Sequence, residues 1–359
     1  MRAKWLSILL LLSLVVAGCS PQGAPPVTAP PPPASPAVRV GVYLAAWNNA
    51  WAWEKWPGGP LAWIRDSDNE IRELGCTVKI VDGNGALIGA EIAEARRHGL
   101  RLIVCQENLK YRGDGSAWLE VVKSPLDWRD LALVNANVDV VDGVWVADDQ
   151  YTDSDYASDF RARLRALLDP RVRIIISSND WLRLYREKRG PLGDLVVGQV
   201  YPWWCGAPHA GLRVPEEDVR AAVLRQLAEI ASDNSVQPGI WVQGFGCSIP
   251  DDAPLPLRGP APGTWNYNYW PPAGELLWQM NAAREAGFRD IYIFTGTWWS
   301  TPGDPWTGVW DHQEMLKALA AGKPGPEVWR IGGTRLRDEV KAFTDSLEWE
   351  GDKNAGQTR

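Results

Sequence analysis

The sequence predicts an α/β protein whose main part is a (β/α)8 barrel, also called a TIM barrel. Short apolar runs rich in β-branched residues recur eight times, as expected for buried parallel strands. Helical patterns lie between them, and about 320 residues follow position 37, a length normal for one large barrel. The first run leads into tryptophans and lacks the glycine-rich phosphate loop that would favour the main alternative, a doubly wound open sheet.

The strand and helix candidates alternate along the chain. The strands are expected at 38–45, 77–81, 100–105, 143–147, 172–177, 195–200, 239–242 and 290–295. The clearest helices are expected at 87–98, 155–168, 216–232 and 273–286. The first of these helices is followed by Gly99, and glycine is a common helix stop. The barrel is thus expected to span 38–322, and 323–359 to be a C-terminal extension in which 328–331 form one extra short strand or contact.

The first 37 residues are expected to lie outside the barrel. A basic start at 1–4 precedes an apolar run at 5–16 that is too short for a stable transmembrane span. The run ends in VAGC, which resembles a bacterial lipobox. This resemblance implies a signal peptide at 1–18, cleavage before Cys19, and a lipid anchor on the Cys19 thiol. Residues 19–37 are rich in proline and should form a semi-rigid tether, which would hold the barrel at the bacterial cell envelope, outside the cytoplasm.

Composition argues against several classes of protein. The net charge is -7, so the basic footprint of a nucleic-acid-binding protein is missing. The cysteines show no CxxC spacing and the three histidines are scattered, so we expect neither a metal site nor a cofactor.

The cysteines beyond Cys19 fall into two pairs. Cys205 and Cys247 follow strands six and seven, which are neighbours in a barrel, so we predict a disulfide between them. Cys76 begins strand two whereas Cys105 ends strand three, so these two should lie at opposite ends of the barrel. That distance makes a bridge unfavourable, and both are expected to be buried thiols.

Many of the 22 tryptophans follow the carboxyl ends of strands, where barrel enzymes place their sites. They are Trp47, Trp51, Trp53 and Trp56 after strand one, Trp203 and Trp204 after strand six, Trp265 and Trp270 after strand seven, and Trp298, Trp299, Trp306 and Trp310 after strand eight. An indole ring can stack under a pyranose and bury its C–H face. Loops that merely pack together are the alternative, but the bias to one end favours a carbohydrate-binding cleft, with Trp47, Trp203, Trp298 and Trp299 as substrate-binding candidates.

Alternation along the strands selects the candidate carboxylates. In strand four, Trp145 and Asp149 share one face, which we assign to the barrel interior, and Asp148 takes the opposite phase, where it could orient a neighbour. Glu107 is in phase with Cys105 beyond strand three. Because strands three and four are adjacent, we expect Glu107 and Asp149 to lie near each other at the mouth, meaning the end of the barrel at the carboxyl ends of its strands.

Other polar residues also fall at or near the mouth. Tyr201 and Gln243 follow or end strands six and seven, and we expect both to contact substrate. Asp82 and Asp180 are further candidates. Lys79 lies inside strand two; if it faces inward it needs a carboxylate partner, which Glu107 on the adjacent strand could supply.

These features together resemble the glycoside hydrolase (β/α)8 barrels. The resemblance implies a carbohydrate substrate and two carboxyl groups, with Asp149 as general acid, Glu107 as its partner and Asp148 beside them. Residues 142–149, DGVWVADD, faintly resemble the chitinase-type strand-four pattern D-G-x-D-x-D-x-E, but both middle acids are replaced and the final acid is aspartate. In the large retaining clan a second glutamate ends strand seven, where this chain has Gln243.

The glutamine leaves three interpretations open. Either the partner carboxylate comes from another strand, or water attacks directly, or the barrel has lost catalysis and binds glycans only. A solute-binding lipoprotein of a transporter would also fit the anchor, although it needs two lobes joined by a hinge. Fold alone does not choose among them.

Overall fold

The barrel expected from the sequence is present in the computed structural model. The structure describes residues 37–45, 56–82, 87–105, 128–147, 162, 164–177, 193–202, 215–232, 235–244, 273–298 and 308–356. Eight parallel strands pair in chain order, and the last pairs with the first, so the sheet is closed. The prediction of a (β/α)8 barrel is therefore confirmed.

All eight strands lie where the sequence predicts them, with ends shifted by at most a few residues. They are β1 Arg39–Ala45, β2 Val78–Asp82, β3 Arg101–Cys105, β4 Val141–Ala147, β5 Arg173–Ser177, β6 Leu195–Val200, β7 Gln237–Gln243 and β8 Asp290–Trp298. Their β-branched residues suit strands that are covered on both faces.

Five of the described helices lie between strands, and the other three follow β8 in succession. They are α1 Gly59–Glu73, α2 Ile88–His98, α3 Trp128–Ala136, α4 Glu216–Ala231, α5 Glu275–Ala286, α6 His312–Ala320, α7 Gly325–Gly332 and α8 Arg335–Gly356. Of the helix predicted at 155–168, residues 162 and 164–167 are described as helical. Within the described part of the chain, no helix is both long enough and apolar enough to cross a membrane.

Strand alternation divides the core into two layers, as period-two geometry requires. Val144 packs in the layer between the strands and the helices, whereas its neighbour Trp145 packs inside the barrel. Cys105 is also an interior residue. The predicted phases of β3 and β4 are therefore confirmed for the residues that precede Glu107 and Asp149.

Glycines make room for large side chains inside the barrel. A Cβ atom added at Gly41 would lie 2.6 Å from a ring carbon of Tyr292. One added at Gly143 would lie 2.6 Å from Ile175 Cδ1 and 2.8 Å from a backbone oxygen. A close-packed interior has no room for a Cβ atom at such short distances. The large side chains can therefore pack inside the barrel only because positions 41 and 143 are glycine.

An ion-pair network closes the barrel base, the end opposite the mouth. Asp142 pairs with Arg39 at 2.8 Å, with Arg101 at 3.5 Å and with Arg173. Asp290 pairs with Arg39 as well. Burial alone would raise the pKa of Asp142, but the positive charges of Arg173 and Arg39 outweigh burial and hold that pKa below its ordinary value.

Lys79 points away from the barrel interior. It is buried between β2, α1 and α2, where Nζ lies 2.5 Å from Asp68 Oδ1 and 2.7 Å from Glu91 Oε2 and donates to Ser67. The inward orientation considered from the sequence, with Glu107 as partner, is thus wrong. Val78 and Ile80 occupy the interior phase of β2, so the residue between them must face the helices.

The C-terminal extension is helical and packs on the barrel helices, so of the two alternatives at 328–331 the short strand is wrong and the contact is confirmed. Trp329 of α7 contacts Trp56, Trp63 and Trp310, with ring centroids 5.7, 4.9 and 5.1 Å apart. Trp56 and Trp310 were assigned to the mouth loops on sequence, yet both are fully buried in this tryptophan cluster. Their role is therefore packing of the extension, and that part of the tryptophan assignment is corrected.

Candidate functional site

The described part of the predicted site lies on β6, β7 and β8. Tyr201 follows β6, Gln243 ends β7, and Trp298 ends β8 with its backbone described. The other predicted residues lie outside the described ranges. These are Glu107, Asp148 and Asp149 for catalysis, Trp47, Trp203 and Trp299 for substrate binding, Cys19 for lipidation, and Cys205 and Cys247 for the disulfide.

The strands that lead to the two candidate carboxylates run side by side. Cys105 and Trp145 are paired across β3 and β4, and both face the interior. Asp82, a further candidate, ends β2 and is paired with Cys105 through its backbone. The segments that carry Glu107 and Asp149 therefore follow strand residues that are neighbours and that both face the barrel interior.

The barrel interior below the mouth is aromatic. Trp145 lies 5.3 Å from Tyr43 and 5.0 Å from Trp241, measured between ring centroids. Phe294 lies 5.4 Å from Trp241 in an edge-to-face arrangement. All four side chains pack inside the barrel, with Phe294 partly buried. These rings form a rigid, largely buried floor beneath the mouth.

Tyr201 and Gln243 are brought together at the edge of this floor. Val200 is paired with Val242, so the same register places Tyr201 beside Gln243. Gln243 is in turn paired with Phe294 on β8. The rings of Tyr201 and Phe294 lie 5.8 Å apart, and Gln243 is fully buried. We call Tyr201, Gln243 and Phe294 the rim.

Two helix glutamines contact the main chain beneath the rim, and sequence reasoning missed both. Gln279 of α5 accepts a hydrogen bond from the Gln243 backbone N–H at 2.9 Å. Gln226 of α4 donates through Nε2 to the Gln199 carbonyl oxygen at 2.8 Å. Glutamine is common on helices, and its period on α4 and α5 carries no signal that marks a contact with a strand end.

Two cysteines near the barrel are confirmed as buried thiols. Cys76 and Cys105 are both buried and carry reduced thiols. Burial raises the pKa of the Cys76 thiol to about 12, because an apolar environment disfavours the thiolate. Among the described residues, no group of three or more histidine, cysteine, aspartate or glutamate side chains could hold a metal ion.

The arrangement can do two things chemically. Its rim offers the partly buried rings of Tyr201 and Phe294 as an apolar surface for the C–H face of a sugar ring. A carboxyl group placed next to such a floor would have its pKa raised by desolvation, which a general acid needs.

Comparisons with known proteins point to the same fold. No protein-family model matches the chain, and no curated protein matches it. A GH2 β-galacturonidase from Eisenbergiella tayi is 14% identical, with a TM-score of 0.53 over 86% of this chain and 51% of that chain. A β-glucuronidase from Ruminococcus gnavus is 10% identical, with a TM-score of 0.50 over 87% of this chain and 50% of that chain.

The likeness is one of architecture. The chain spans about half the length of these two structures, and so low an identity carries no residue-level correspondence. The similarity covers most of this chain, and the matched part of this chain contains the closed eight-stranded barrel. The chain therefore shares its (β/α)8-barrel fold with glycoside hydrolases.

Proposed function

We propose that this protein is a glycoside hydrolase-like enzyme that acts on a polysaccharide or glycan by carboxylate acid–base catalysis. The observation that carries the proposal is the aromatic interior beside the ends of β3 and β4. Cys105 and Trp145 are paired and interior there, two residues before Glu107 and four residues before Asp149, respectively. Continued alternation would bring both carboxylates to one side of the mouth.

Each candidate residue has a role in this proposal. Asp149 is the general acid that protonates the leaving oxygen, and Glu107 is the base or nucleophile, or binds substrate. Asp148 orients a neighbouring group. Tyr201 and Gln243 hold sugar hydroxyls, while the tryptophans at 47, 203, 298 and 299 form sugar subsites.

Screening against a panel of glycosides narrows the substrate class. The similar solved structures are named for enzymes that act on galacturonides and glucuronides, so uronic-acid glycosides belong in the panel. Neutral hexosides, pentosides and N-acetylhexosaminides make up the remainder. Aryl glycosides report cleavage of a single glycosidic bond, and polysaccharides report action on longer chains.

The test is a comparison of three forms of the chain on this panel. Wild type should hydrolyse at least one glycoside, and Asp149→Asn should lower kcat by about 100-fold or more, the usual contribution of a general acid. Glu107→Gln should also lower kcat. Hydrolysis that survives both substitutions unchanged would refute the catalytic assignment.

A second function, glycan binding without catalysis, is favoured by one observation. Gln243 ends β7, where the retaining clan has a glutamate, and an amide cannot act as nucleophile or base. Tight binding of a polysaccharide by wild type and by Asp149→Asn, with no turnover of any glycoside, would select this function. The closed barrel, in contrast, disfavours a transporter solute-binding protein, which needs two lobes.

We further propose that the chain is lipid-anchored at the bacterial cell envelope, outside the cytoplasm. The support is the VAGC sequence at 16–19 after an apolar run, followed by a proline-rich stretch. Cys19→Ser should move the protein from the membrane fraction to the soluble fraction of the expressing bacterium. Equal membrane retention of both forms would contradict the anchor.

The disulfide between Cys205 and Cys247 remains a proposal as well. It would join two loops that follow adjacent strands, β6 and β7. A peptide map under non-reducing conditions should contain one linked peptide with both cysteines, and a free Cys205 would exclude it.

A further inference from the structure

The helix glutamines beneath the rim each use only half of their amide group. Gln279 accepts the Gln243 N–H through Oε1, and its Nε2 has no partner among the described residues. Gln226 donates to the Gln199 carbonyl through Nε2, and its buried Oε1 likewise has no described partner. The two contacts are therefore complementary: one helix supplies an acceptor and the next supplies a donor.

These contacts bond two backbone groups at a cost. Each leaves one half of a buried amide without a described partner, which is unfavourable. Gln226 also requires a neighbour without a side chain, because a Cβ atom at Gly198 would lie 2.1 Å from its Oε1. Residues that violate local packing rules in this way are concentrated at functional sites.

The residues held by these contacts share the interior phase of their strands. Leu195 and Val197 face the interior, so Gln199 does as well, and Trp241 places Gln243 in the same phase. Gln199 is paired with Trp241, one level below the rim. Fixing a peptide plane fixes the Cα–Cβ direction of its residue, and hence the origin of the side-chain amide.

We propose that Gln279 and Gln226 are positioning residues that aim the amides of Gln243 and Gln199 at the sugar in the mouth. Neither helix glutamine touches the substrate. The effect of Gln279 and Gln226 on substrate binding rests on the proposed function. Their effect on the positions of the Gln243 and Gln199 amides does not, because it can be measured without any substrate.

The matched substitutions follow from the opposite polarity of the two contacts. Gln279→Glu keeps the acceptor for the Gln243 N–H and replaces the unpartnered Nε2 by an oxygen, whereas Gln279→Met removes the acceptor. Gln226→Glu loses the donor and, at pH 8, faces the Gln199 carbonyl with a carboxylate. Glutamate should therefore be tolerated at 279 and not at 226. Met280→Leu, at the fully buried next position of α5, controls for repacking of the helix.

The first measurement is the side-chain amide spectrum of the full chain labelled with ¹⁵N glutamine. The Gln243 signals should shift and broaden in Gln279→Met but keep their positions in Gln279→Glu and Met280→Leu. The Gln199 signals should move in both Gln226→Glu and Gln226→Met. Unmoved Gln243 and Gln199 signals in the methionine variants would overturn the proposal, whether or not the protein proves to be a hydrolase.

The second measurement uses the aryl glycoside that wild type hydrolyses fastest in the panel. Gln279→Met should raise KM about fivefold while kcat changes less than about twofold, as expected for loss of a hydrogen bond that binds substrate. Gln279→Glu should restore the wild-type KM. An equal fall in activity for all variants, including Met280→Leu, would indicate a purely structural role and overturn the proposal.

Discussion

At the residue scale, two separate networks in the described part of the molecule hold the buried charges of Asp142 and Lys79. Asp142 lies at the barrel base among Arg39, Arg101 and Arg173, while Lys79 lies outside the strands between Asp68 and Glu91. Asp142 and Lys79 are themselves buried, so each of these charges needs its partners.

Replacing Asp142 tests the base network. Asp142→Asn keeps the shape but removes the charge that Arg39, Arg101 and Arg173 share, so we expect the free energy of unfolding to fall by about 2–3 kcal/mol at pH 7. Urea unfolding measures this change. Asp139→Asn, at an exposed carboxylate paired with Arg96, should leave the unfolding midpoint unchanged. Equal stability of wild type and Asp142→Asn would contradict the network's role.

The same pair of proteins gives a pH prediction. The pKa of Asp142 is lower in the folded state than in the unfolded chain, so its stabilisation is present above about pH 4, where an ordinary aspartate is ionised. It is lost as the pH falls through the lower, folded pKa. The difference in unfolding free energy between wild type and Asp142→Asn should therefore be constant from pH 7 to pH 5 and shrink below pH 4.

Replacing Lys79 tests the second network. Lys79→Met removes the only cation that the structure describes in contact with both Asp68 and Glu91. Burial already raises the pKa of Glu91 despite the neighbouring lysine. We expect a loss of about 3–5 kcal/mol, since two acidic groups would remain buried without a counter-charge. Lys341→Met, at an exposed pair with Asp345, is the control. A similar loss of unfolding free energy there would show that the loss in Lys79→Met does not arise from the burial of Asp68 and Glu91.

At the scale of elements, α7 and α8 are part of the core. Trp310 donates through its indole N–H to Glu70 of α1 at 3.2 Å, and Arg337 of α8 pairs with the same carboxylate at 2.5 Å. Trp329 packs between the rings of Trp63 and Trp310. The extension thus joins α1 to the end of the chain through both apolar and charged contacts.

Trp329 is expected to dominate the docking of α7. Trp329→Ala would leave a large cavity in the tryptophan cluster, and we expect it to lower the free energy of unfolding by about 3–5 kcal/mol. Ile331→Ala, in the same helix but 40% exposed, should cost less than about 1 kcal/mol. Comparable losses for the two variants in denaturant titrations would mean that the cluster does not anchor the helix.

At the scale of the whole molecule, residues 37–359 behave as one compact unit. α8 contacts α5, and α7 contacts both α1 and α6, so the extension touches helices from both ends of the barrel sequence. The barrel and its C-terminal helices are therefore expected to unfold together.

Two truncated chains test whether the barrel and its C-terminal helices unfold together. A chain beginning at Ala37 should keep the Tm of the full-length protein, because the compact unit begins there. A chain ending at Gly322 should lose its cooperative thermal transition, because it lacks the buried residues Trp329, Val340 and Phe343. Scanning calorimetry compares them; a cooperative transition retained by the chain ending at Gly322 would show that the barrel is stable without α7 and α8.

The sequence by itself determined the barrel, the position of its strands and the faces of β3 and β4. These follow from hydrophobic runs and from alternation, which are local properties: Trp145 faces inward because Val144 faces the helices. The same alternation placed Cys105 in the barrel interior, and it selected Glu107 and Asp149 as candidate catalytic residues.

Only the tertiary structure decided which polar and aromatic side chains meet. Trp56 and Trp310 resemble mouth tryptophans in sequence, but the distant α7 buries them, and Trp310 finds its acceptor 240 residues away, on Glu70. Lys79 finds its acids on two helices, and Gln279 reaches a strand end that no helical period reveals. The physical reason is that periodicity states which face a residue occupies, whereas its partner depends on how separate elements pack.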